Sequence, residues 1–454
     1  MWRTASAIVV AMSGGLPYGS LVWGLPFVGL LLTLAIAPLT VPGLWNRHYG
    51  KIVAFWGLVV VVPDIAAEGV AASFTRLFDM GLNTYVPFVL LLGALFIITG
   101  GLRIRGAPHG SPGVNTALLA LSTAASSLIG TPGASLLMLR PIIRANRHRT
   151  RTAHVYVFFI FLVCNVGGAL TPLGNPPLFL GYLRGVPFFW PAQHLWLPTL
   201  TLTVALLAMF FAIDHYLYGR REPAVLPEIE KLGIDGSVNL LLLLGAAATM
   251  MLRTYYPVPG SITVFGVAWS FDDALSDVLF VALALLSLKL TRPATRQENA
   301  FVWTPIVEVS ILFAAIFVTL VPIDAIMAAG TAGPAAPLLA QVFVGNAPNN
   351  TLFYLLPGAL SSVLDNAPAY LVFFGLAGDN AALLTGKLAL TLAAISAGAS
   401  YFGAMTYIGN APNLMVKSVV ESYGVKMPNF FAYVGWSAVC LLPLLLLTSW
   451  LFFR

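Results

Sequence analysis

One acidic residue, Asp365, is the strongest candidate for chemistry in this sequence. It follows an apolar run that begins near Asn350, and Asn366 and Pro368, which interrupt helices, come directly after it. At 1.5 Å per residue, Asp365 lies roughly 20 Å along a helix from Asn350, near the midplane of a bilayer if that helix enters one. Because an ionisable group is costly at that depth, it predicts a functional site. A carboxylate there can bind Na⁺ in one state and H⁺ in another; the alternative is an ionised Asp that only caps a helix.

The stretch around Asp365 repeats an earlier part of the chain. Residues 126–132 return at 361–368, and residues 168–177 return at 403–412, both with a register of 235 positions. In the second pair six of ten positions are identical, including the Gly-Asn and the final Pro. A duplicated motif that breaks helices in an apolar chain is typical of transporters built from two repeats, with the binding site between them.

Four short polar residues in these motifs predict helix starts. Thr131, Asn175, Asn366 and Asn410 each stand one or two residues before a proline. A helix that starts inside a membrane presents free N–H groups and a positive dipole end to an anion, while the carbonyls before it can hold Na⁺. The alternative is that these prolines only kink structural helices.

The predicted site residues follow from the two motifs. Those expected to bind a cation or a substrate are Ser127, Gly130, Thr131, Asn165, Thr171, Gly174, Asn175, Pro176, Ser362, Asn366, Thr406, Gly409, Asn410, Pro412 and Asn413. The expected Na⁺ ligands are Thr131, Asn175, Asp365, Asn366 and Asn410. For Ser127 and Ser362, packing or bonding to the backbone is the alternative. In the register of 235 positions, Gly130 of the first copy corresponds to Asp365 of the second copy. Only the second copy therefore contains an acidic residue at this position.

The amino-acid composition indicates that the chain is surrounded by lipid. With 59% hydrophobic residues, 9% charged residues and a mean hydropathy of +0.88, the chain cannot cover a globule with polar surface and is predicted to be an integral membrane protein. The basic residues sit in short loops between apolar runs, which excludes nucleic-acid binding as their explanation. No phosphate-binding loop, zinc spacing or catalytic triad is found, so we expect no enzyme and no cofactor, with Na⁺ and H⁺ as transported or coupling ions.

The apolar runs predict an all-α polytopic fold. The expected spans are 20–44, 52–67, 83–101, 153–183, 195–218, 238–256, 276–290, 304–329, 382–416 and 429–452. Residues 113–143 and 350–378 are broken near the middle into pieces of roughly 13 residues, too short to cross, so each is predicted to be a re-entrant hairpin. The spans 153–183 and 382–416 contain the second motif and are predicted to be discontinuous helices.

Counting crossings predicts two inverted repeats. The first covers 16–222 and the second 237–454, joined by a cytoplasmic linker at 223–236, and residues 1–15 form a tail or a signal peptide. Each repeat has five full crossings, and an odd number turns the second repeat upside down. Most of the 23 Lys and Arg residues then fall on one face, which is predicted to be cytoplasmic with both termini outside.

Other acids are weaker candidates. Glu308 lies about one turn into its span and is predicted either to relay protons or to sit near the cytoplasmic interface. Asp64 and Glu68 share a helix face at the outer end of a span, where a solvated terminus is the expected role. Asp214 precedes Arg220 by about a turn and a half, and pairing at the membrane surface is the expected role.

The two motifs resemble those of the ion transporter superfamily. The likeness rests on both Gly-Asn-x-Pro breaks, on Leu364-Asp365-Asn366-Ala367-Pro368, and on residues 23–27 and 48–51. Within the superfamily the chain is most similar to bacterial proteins named as sodium/proton antiporters or citrate transporters. The resemblance implies a homodimer in the bacterial inner membrane, a cation site at each hairpin tip with its break, a substrate between them, and an elevator-like movement. Carboxylate carriers of the superfamily often have Ser-Asn-Thr at both tips, and this chain has Gly130-Thr131 and Asp365-Asn366 instead.

Three functions remain open from the sequence. Sodium/proton exchange is favoured by Asp365. Cation-coupled uptake of citrate or another di- or tricarboxylate is the alternative, favoured by the four helix starts. A passive channel is less favoured, because the repeats give no symmetric filter loop. In each case the expected partners are membrane lipid and small ions, with a carboxylate in the second.

Overall fold

The computed structural model describes residues 18–218, 233–299, 301–345 and 347–454, and most of them are helical. The helices are α1 Leu25–Thr40, α2 Pro42–Glu68, α3 Val70–Met80, α4 Val86–Gly100, α5 Pro112–Ile129, α6 Thr131–Ala145, α7 Ala153–Leu162, α8 Pro176–Leu183, α9 Trp190–Tyr218, α10 Val238–Tyr255, α11 Phe271–Leu290, α12 Pro293–Glu298, α13 Thr304–Ala328, α14 Ala336–Val342, α15 Asn350–Val363, α16 Asn366–Leu376, α17 Ala381–Thr385, α18 Ala389–Tyr401, α19 Ala411–Ser422, α20 Phe430–Trp436 and α21 Leu442–Phe452. One turn of π-helix at Gly81–Tyr85 joins α3 to α4, and another at Ser437–Leu441 joins α20 to α21.

Three small antiparallel ribbons, which the sequence did not predict, connect some of the helices. The strands are β1 Arg103–Arg105, β2 Gly233–Asp235, β3 Ser261–Val264, β4 Val267–Ser270, β5 Phe343–Val344 and β6 Ala347–Pro348, paired β1–β2, β3–β4 and β5–β6. The ribbon β1–β2 ties the end of the predicted linker to the segment after α4. Residues 1–15 and the rest of that linker, 223–232, lie outside the described residues.

Nine helical stretches of the described chain are long and apolar enough to cross a membrane. They are Leu21–Pro38, Arg47–Glu68, Val70–Gly100, Pro112–Ile129, Ala153–Leu170, Trp190–Tyr218, Val238–Tyr255, Thr304–Ala328 and Phe430–Phe452. The predicted class, a mostly helical polytopic membrane protein, is therefore confirmed.

Several predicted boundaries differ from the structure. The first span was expected to reach 44, but α1 ends at Thr40, two residues before Pro42 opens α2. The span expected at 83–101 is the second part of a helical stretch that starts at Val70. The entering limb of the first predicted hairpin, α5, has 18 residues instead of about 13, so its length by itself would allow a crossing.

Two helix pairs contain the first motif. In the first helix pair, α5 and α6 meet at Gly130, whose backbone has φ +79°, a conformation that favours glycine. In the second helix pair, α15 and α16 meet at Leu364 and Asp365. Capping side chains fix both entering limbs, since Ser111 accepts from the amide of Val114 and Asn349 accepts from that of Leu352.

Two interrupted helices contain the second motif. The first break, residues 163–175, separates α7 from α8 and includes a short 3₁₀ turn at Val166–Leu170. The second break, residues 402–410, separates α18 from α19 and includes a 3₁₀ turn at Phe402–Met405. Each new helix starts after an extended Asn, with a proline at its first or second position. The two predicted discontinuous helices thus have their interruptions where the motif placed them.

The helices pack as two groups. The first, which we call the scaffold group, consists of α1, α2, α3, α4, α10, α11 and α13. The second, which we call the core group, consists of the two helix pairs (α5, α6, α15 and α16), the interrupted helices (α7, α8, α18 and α19), α9, α20 and α21. The main contacts between the groups are α4 with α6 and α13 with α16, the outgoing limbs of the two helix pairs. In the stretch Ala153–Leu170, 89% of the residues are buried, whereas in the most apolar window of Trp190–Tyr218 the share is 28%. The first break therefore lies at the centre of the protein.

Candidate functional site at the helix breaks

The two motifs fold into the same hydrogen-bonded arrangement. The hydroxyl of Ser127 donates to the carbonyl of Gly167, and that of Ser362 donates to the carbonyl of Phe402, 235 positions later in each case. The hydroxyl of Thr171 donates to the carbonyl of Ser127, and that of Thr406 donates to the carbonyl of Ser362. Equivalent hydrogen bonds therefore connect each helix pair to its own break.

Glycines allow each break to turn sharply. A Cβ atom on Gly174 would lie 2.2 Å from the carbonyl oxygen of Gly168, and one on Gly409 would lie 2.6 Å from that of Gly403. No side chain fits at such distances, which explains why glycine stands at both positions. At the first tip, the amide of Thr131 donates to the carbonyl of Gly174 over 2.9 Å, so α6 starts against the turn.

Amide side chains connect the two motif copies. Asn366, at the start of α16, donates to the side-chain oxygen of Asn175 over 3.0 Å, next to the start of α8. Asn410, before α19, donates to the carbonyl of Cys164 over 2.7 Å and to the side chain of Asn165 over 3.2 Å. Together with the contact of Thr131, these bonds connect the starts of α6 and α16 to the end of the first break next to α8, and the start of α19 to the beginning of that break. We call this buried set of residues the amide cluster.

Asn165 and Asn413 extend the amide cluster. The side chain of Asn165 donates to that of Asn413 over 2.9 Å, and Asn413 in turn donates to the carbonyls of Gly403 and Thr406. All these side chains are buried. The register alone does not reveal the role of Asn413, because its counterpart 235 positions earlier is Leu178.

Several polar atoms of the amide cluster have no hydrogen-bond partner among the described residues. They are the Nδ2 atom of Asn175, the Oδ1 atom of Asn366 and the hydroxyl of Thr131. The hydroxyl of nearby Ser400 also has no partner among these residues. A buried polar group without a partner costs roughly 1–3 kcal/mol. One donor and one acceptor, on two side chains already in contact, are thus available to a ligand.

Asp365 lies at the edge of the amide cluster. Its Oδ1 atom accepts from the amide of Ala367 over 3.2 Å, so it caps α16, and the side chain stays partly exposed. Both readings of this residue, as a cap and as a cation ligand, are compatible with that position. Its role in coupling stays a prediction.

Other predicted site residues lie in different environments. Ser127 and Ser362 use their hydroxyls to bond the backbone of the breaks, and Pro176 and Pro412 open α8 and α19. Glu308 is exposed in the second turn of α13, and no hydrogen bond or ion pair within the described chain links it to the amide cluster. The structure does not bring Glu308 together with Asp365.

Sequence reasoning missed a buried ionic network at the end of α9. Asp214 is fully buried; its carboxylate pairs with Arg149 at 2.5 Å and His154 at 2.8 Å, and accepts from Asn115 over 3.0 Å. The expectation of surface pairing for Asp214 was wrong, because the loop 146–152 folds over the end of α9. No spacing pattern in the sequence predicts this contact, because Arg149 lies 65 positions from Asp214.

Three further acids near segment ends pair with arginine. Asp64 is buried instead of solvated, because Arg76 binds it at 2.7 Å and Tyr18 donates to it. Arg184, just after α8, binds Asp324 of α13 at 2.6 Å and also pairs with Asp379. Burial opposes the charge of Arg184, but the two aspartates outweigh it and raise the pKa of its guanidinium. The pair with Asp324 joins the core group to the scaffold group.

Comparison with known proteins agrees with these motifs. A family model described as Putative citrate transport matches residues 18–453. A search of the curated proteins gave no match for this chain. The resemblance drawn from the two breaks and the Asp365 motif to the citrate transporter branch is thereby confirmed.

Proposed function

Because the chain belongs to the Putative citrate transport family, we propose that this membrane transporter couples the passage of citrate, or of another di- or tricarboxylate, to a cation. In this proposal it is a secondary transporter working by alternating access, with the substrate at the amide cluster. The observation that carries the proposal is the contact between Asn366 and Asn175, which leaves one buried donor and one buried acceptor without partners in the part of the chain that the structure describes.

The anionic substrate would use the donors of the amide cluster. The unpaired Nδ2 atom of Asn175 and the hydroxyl of Thr131 lie at the starts of α8 and α6, where free backbone amides and the helix dipoles favour a carboxylate. No arginine is needed for such recognition, because helix termini provide both donors and positive potential.

The cation would use the acceptors. The unpaired Oδ1 atom of Asn366 and the partly exposed carboxylate of Asp365 are consecutive along the chain, and the carbonyls of the breaks are near. Oxygen atoms of this kind are the usual Na⁺ ligands at discontinuous helices. We propose Thr131, Asn175, Asp365, Asn366 and Asn410 as the residues that hold Na⁺.

Movement would take place between the two groups of helices. We propose that the core group moves against the scaffold group along the contacts of α4 with α6 and of α13 with α16. The recurrence of equivalent hydrogen bonds at 235 positions supports two repeats, 16–222 and 237–454, and the odd crossing number per repeat favours their inversion. We further propose re-entrant hairpins, a homodimer, location in a bacterial inner membrane and external termini.

Proteoliposomes containing the full-length protein test the proposal. We expect labelled citrate to accumulate when a Na⁺ or H⁺ gradient is imposed, and accumulation to fall at least tenfold in Asn366→Ala. Asp365→Asn should abolish the dependence on the cation gradient. Asp79→Asn is the matched control, since Asp79 is exposed on α3 outside the amide cluster. The proposal fails if no di- or tricarboxylate accumulates under any cation gradient.

Sodium/proton exchange is the second candidate, favoured by the position of Asp365 beside the amide cluster. Everted vesicles with a pH-sensitive dye separate the two functions. Collapse of a proton gradient on addition of Na⁺ or Li⁺ without any carboxylate, and its loss in Asp365→Asn, would establish exchange. A Na⁺ flux that needs neither a proton nor a carboxylate would indicate a channel.

A further inference from the structure

A cavity lies away from the amide cluster. Its volume is about 700 Å³, within the range of small-ligand sites, and it opens where the loop after α6, the start of α7, the end of α9 and the loop after α19 meet. All these segment ends belong to the face that the charge pattern predicts to be cytoplasmic.

Three cations around this cavity lack a carboxylate partner among the described residues. Arg147, Arg151 and Lys426 line it, and all three side chains are exposed. Arg149 and His154, which also line it, are already held by the buried carboxylate of Asp214. The described lining residues include no Asp or Glu. Within the part of the chain that the structure describes, the lining of the cavity therefore carries a net positive charge.

Apolar and aromatic side chains form the remaining wall. Ile143, Leu217, Val425 and Trp436 line the cavity beside the cations. This combination suits a ligand with a charged group and an apolar portion, because Trp and basic residues both favour the interface between membrane and water.

We propose that this cavity binds the phosphate group of an anion through Arg147, Arg151 and Lys426. The apolar wall favours the head group of an anionic phospholipid of the cytoplasmic leaflet as the source of that phosphate. Bound there, the lipid contacts the loop that covers Asp214 and the loop after α19, and so touches both interrupted helices at their cytoplasmic ends.

Native mass spectrometry of the full-length protein tests this site. Phosphatidylglycerol, phosphatidylcholine and inorganic phosphate are titrated separately against the wild type and against the triple variant Arg147→Gln, Arg151→Gln, Lys426→Gln. We expect phosphatidylglycerol to bind the triple variant about 100-fold more weakly than the wild type, and phosphatidylcholine to bind weakly to both.

A matched triple variant controls for net charge. Arg47, Lys289 and Arg292 are exposed outside the cavity, and Arg47→Gln, Lys289→Gln, Arg292→Gln removes the same three charges. We expect this control to bind phosphatidylglycerol like the wild type. Saturable binding of inorganic phosphate that only the cavity variant loses would identify a free phosphate as the ligand. Equal binding of phosphatidylglycerol by the cavity variant and the wild type, or an equal loss in the control variant, would overturn the proposal.

Discussion

The side chain of Asn366 donates a 3.0 Å hydrogen bond to that of Asn175, although the two residues are 191 positions apart. The bond joins the tip of the second helix pair to the first break. Each side chain also keeps one buried polar atom that has no hydrogen-bond partner within the described chain. The contact therefore holds the two motif copies together and leaves one donor and one acceptor of the described residues available to a ligand.

Removing this contact should weaken both stability and transport. For Asn366→Ala and Asn175→Ala, we expect a coupling energy of about 0.5–1.5 kcal/mol in a double-mutant cycle of thermal stability in detergent. Each single variant should reduce the transport efficiency at least tenfold. Additive effects of the two changes on stability would contradict a direct bond.

The turns of the two breaks should not tolerate a methyl group. Gly174→Ala and Gly409→Ala each place Cβ within 2.6 Å of a backbone oxygen, so the backbone must shift. We expect a loss of about 1–3 kcal/mol in stability and nearly complete loss of transport in both variants. Gly435→Ala is the matched control, because a Cβ there meets nothing within 4 Å. Normal transport by Gly174→Ala would refute the proposed importance of this turn.

The buried carboxylate of Asp214 should depend on Arg149. Arg149→Met leaves that charge without its main partner, and we expect a loss of about 3–5 kcal/mol in stability. Lys417→Met, which breaks the more exposed pair with Glu421, should cost about 0–1 kcal/mol. Adding Asp214→Asn to Arg149→Met should restore part of the loss. A double variant as unstable as the sum of the single ones would contradict the pairing.

A covalent link between α13 and α16 should stop the proposed movement. A Cβ built on Gly375 lies 3.2 Å from that of Met327, slightly below the roughly 3.5–4.5 Å found in disulfides, so a small outward shift of the two helices accommodates the bond. We expect the variant Met327→Cys, Gly375→Cys to lose transport on oxidation and to recover it on reduction. Each single cysteine variant, treated with the same oxidant, is the control, and the native Cys164 and Cys440 are buried. Full transport by the oxidised double variant would exclude movement along this contact.

The sequence alone predicted the elements that carry the amide cluster. The prolines after Thr131, Asn175, Asn366 and Asn410 identified four helix starts, because proline fits the first turn of a helix and lacks the amide that the helix interior needs. The register of 235 positions also related Ser127 to Ser362 and Thr171 to Thr406, and each of these pairs makes equivalent hydrogen bonds in the structure. Limb lengths were harder to predict: α5 ends at Ile129, directly before the predicted break at Gly130, but it already starts at Pro112 and so has 18 residues instead of about 13.

Only the tertiary structure decided which residues meet. Periodicity and helix-start signals are local, so they place Asn175 and Asn366 on their segments but cannot bring them within 3.0 Å of each other. The same limit explains why Asp214 was misplaced, since its partner Arg149 comes from a distant loop. Local chemistry along the chain thus determined where the helices stop, and the packing of the helices decided which polar groups are paired and which stay open to a ligand.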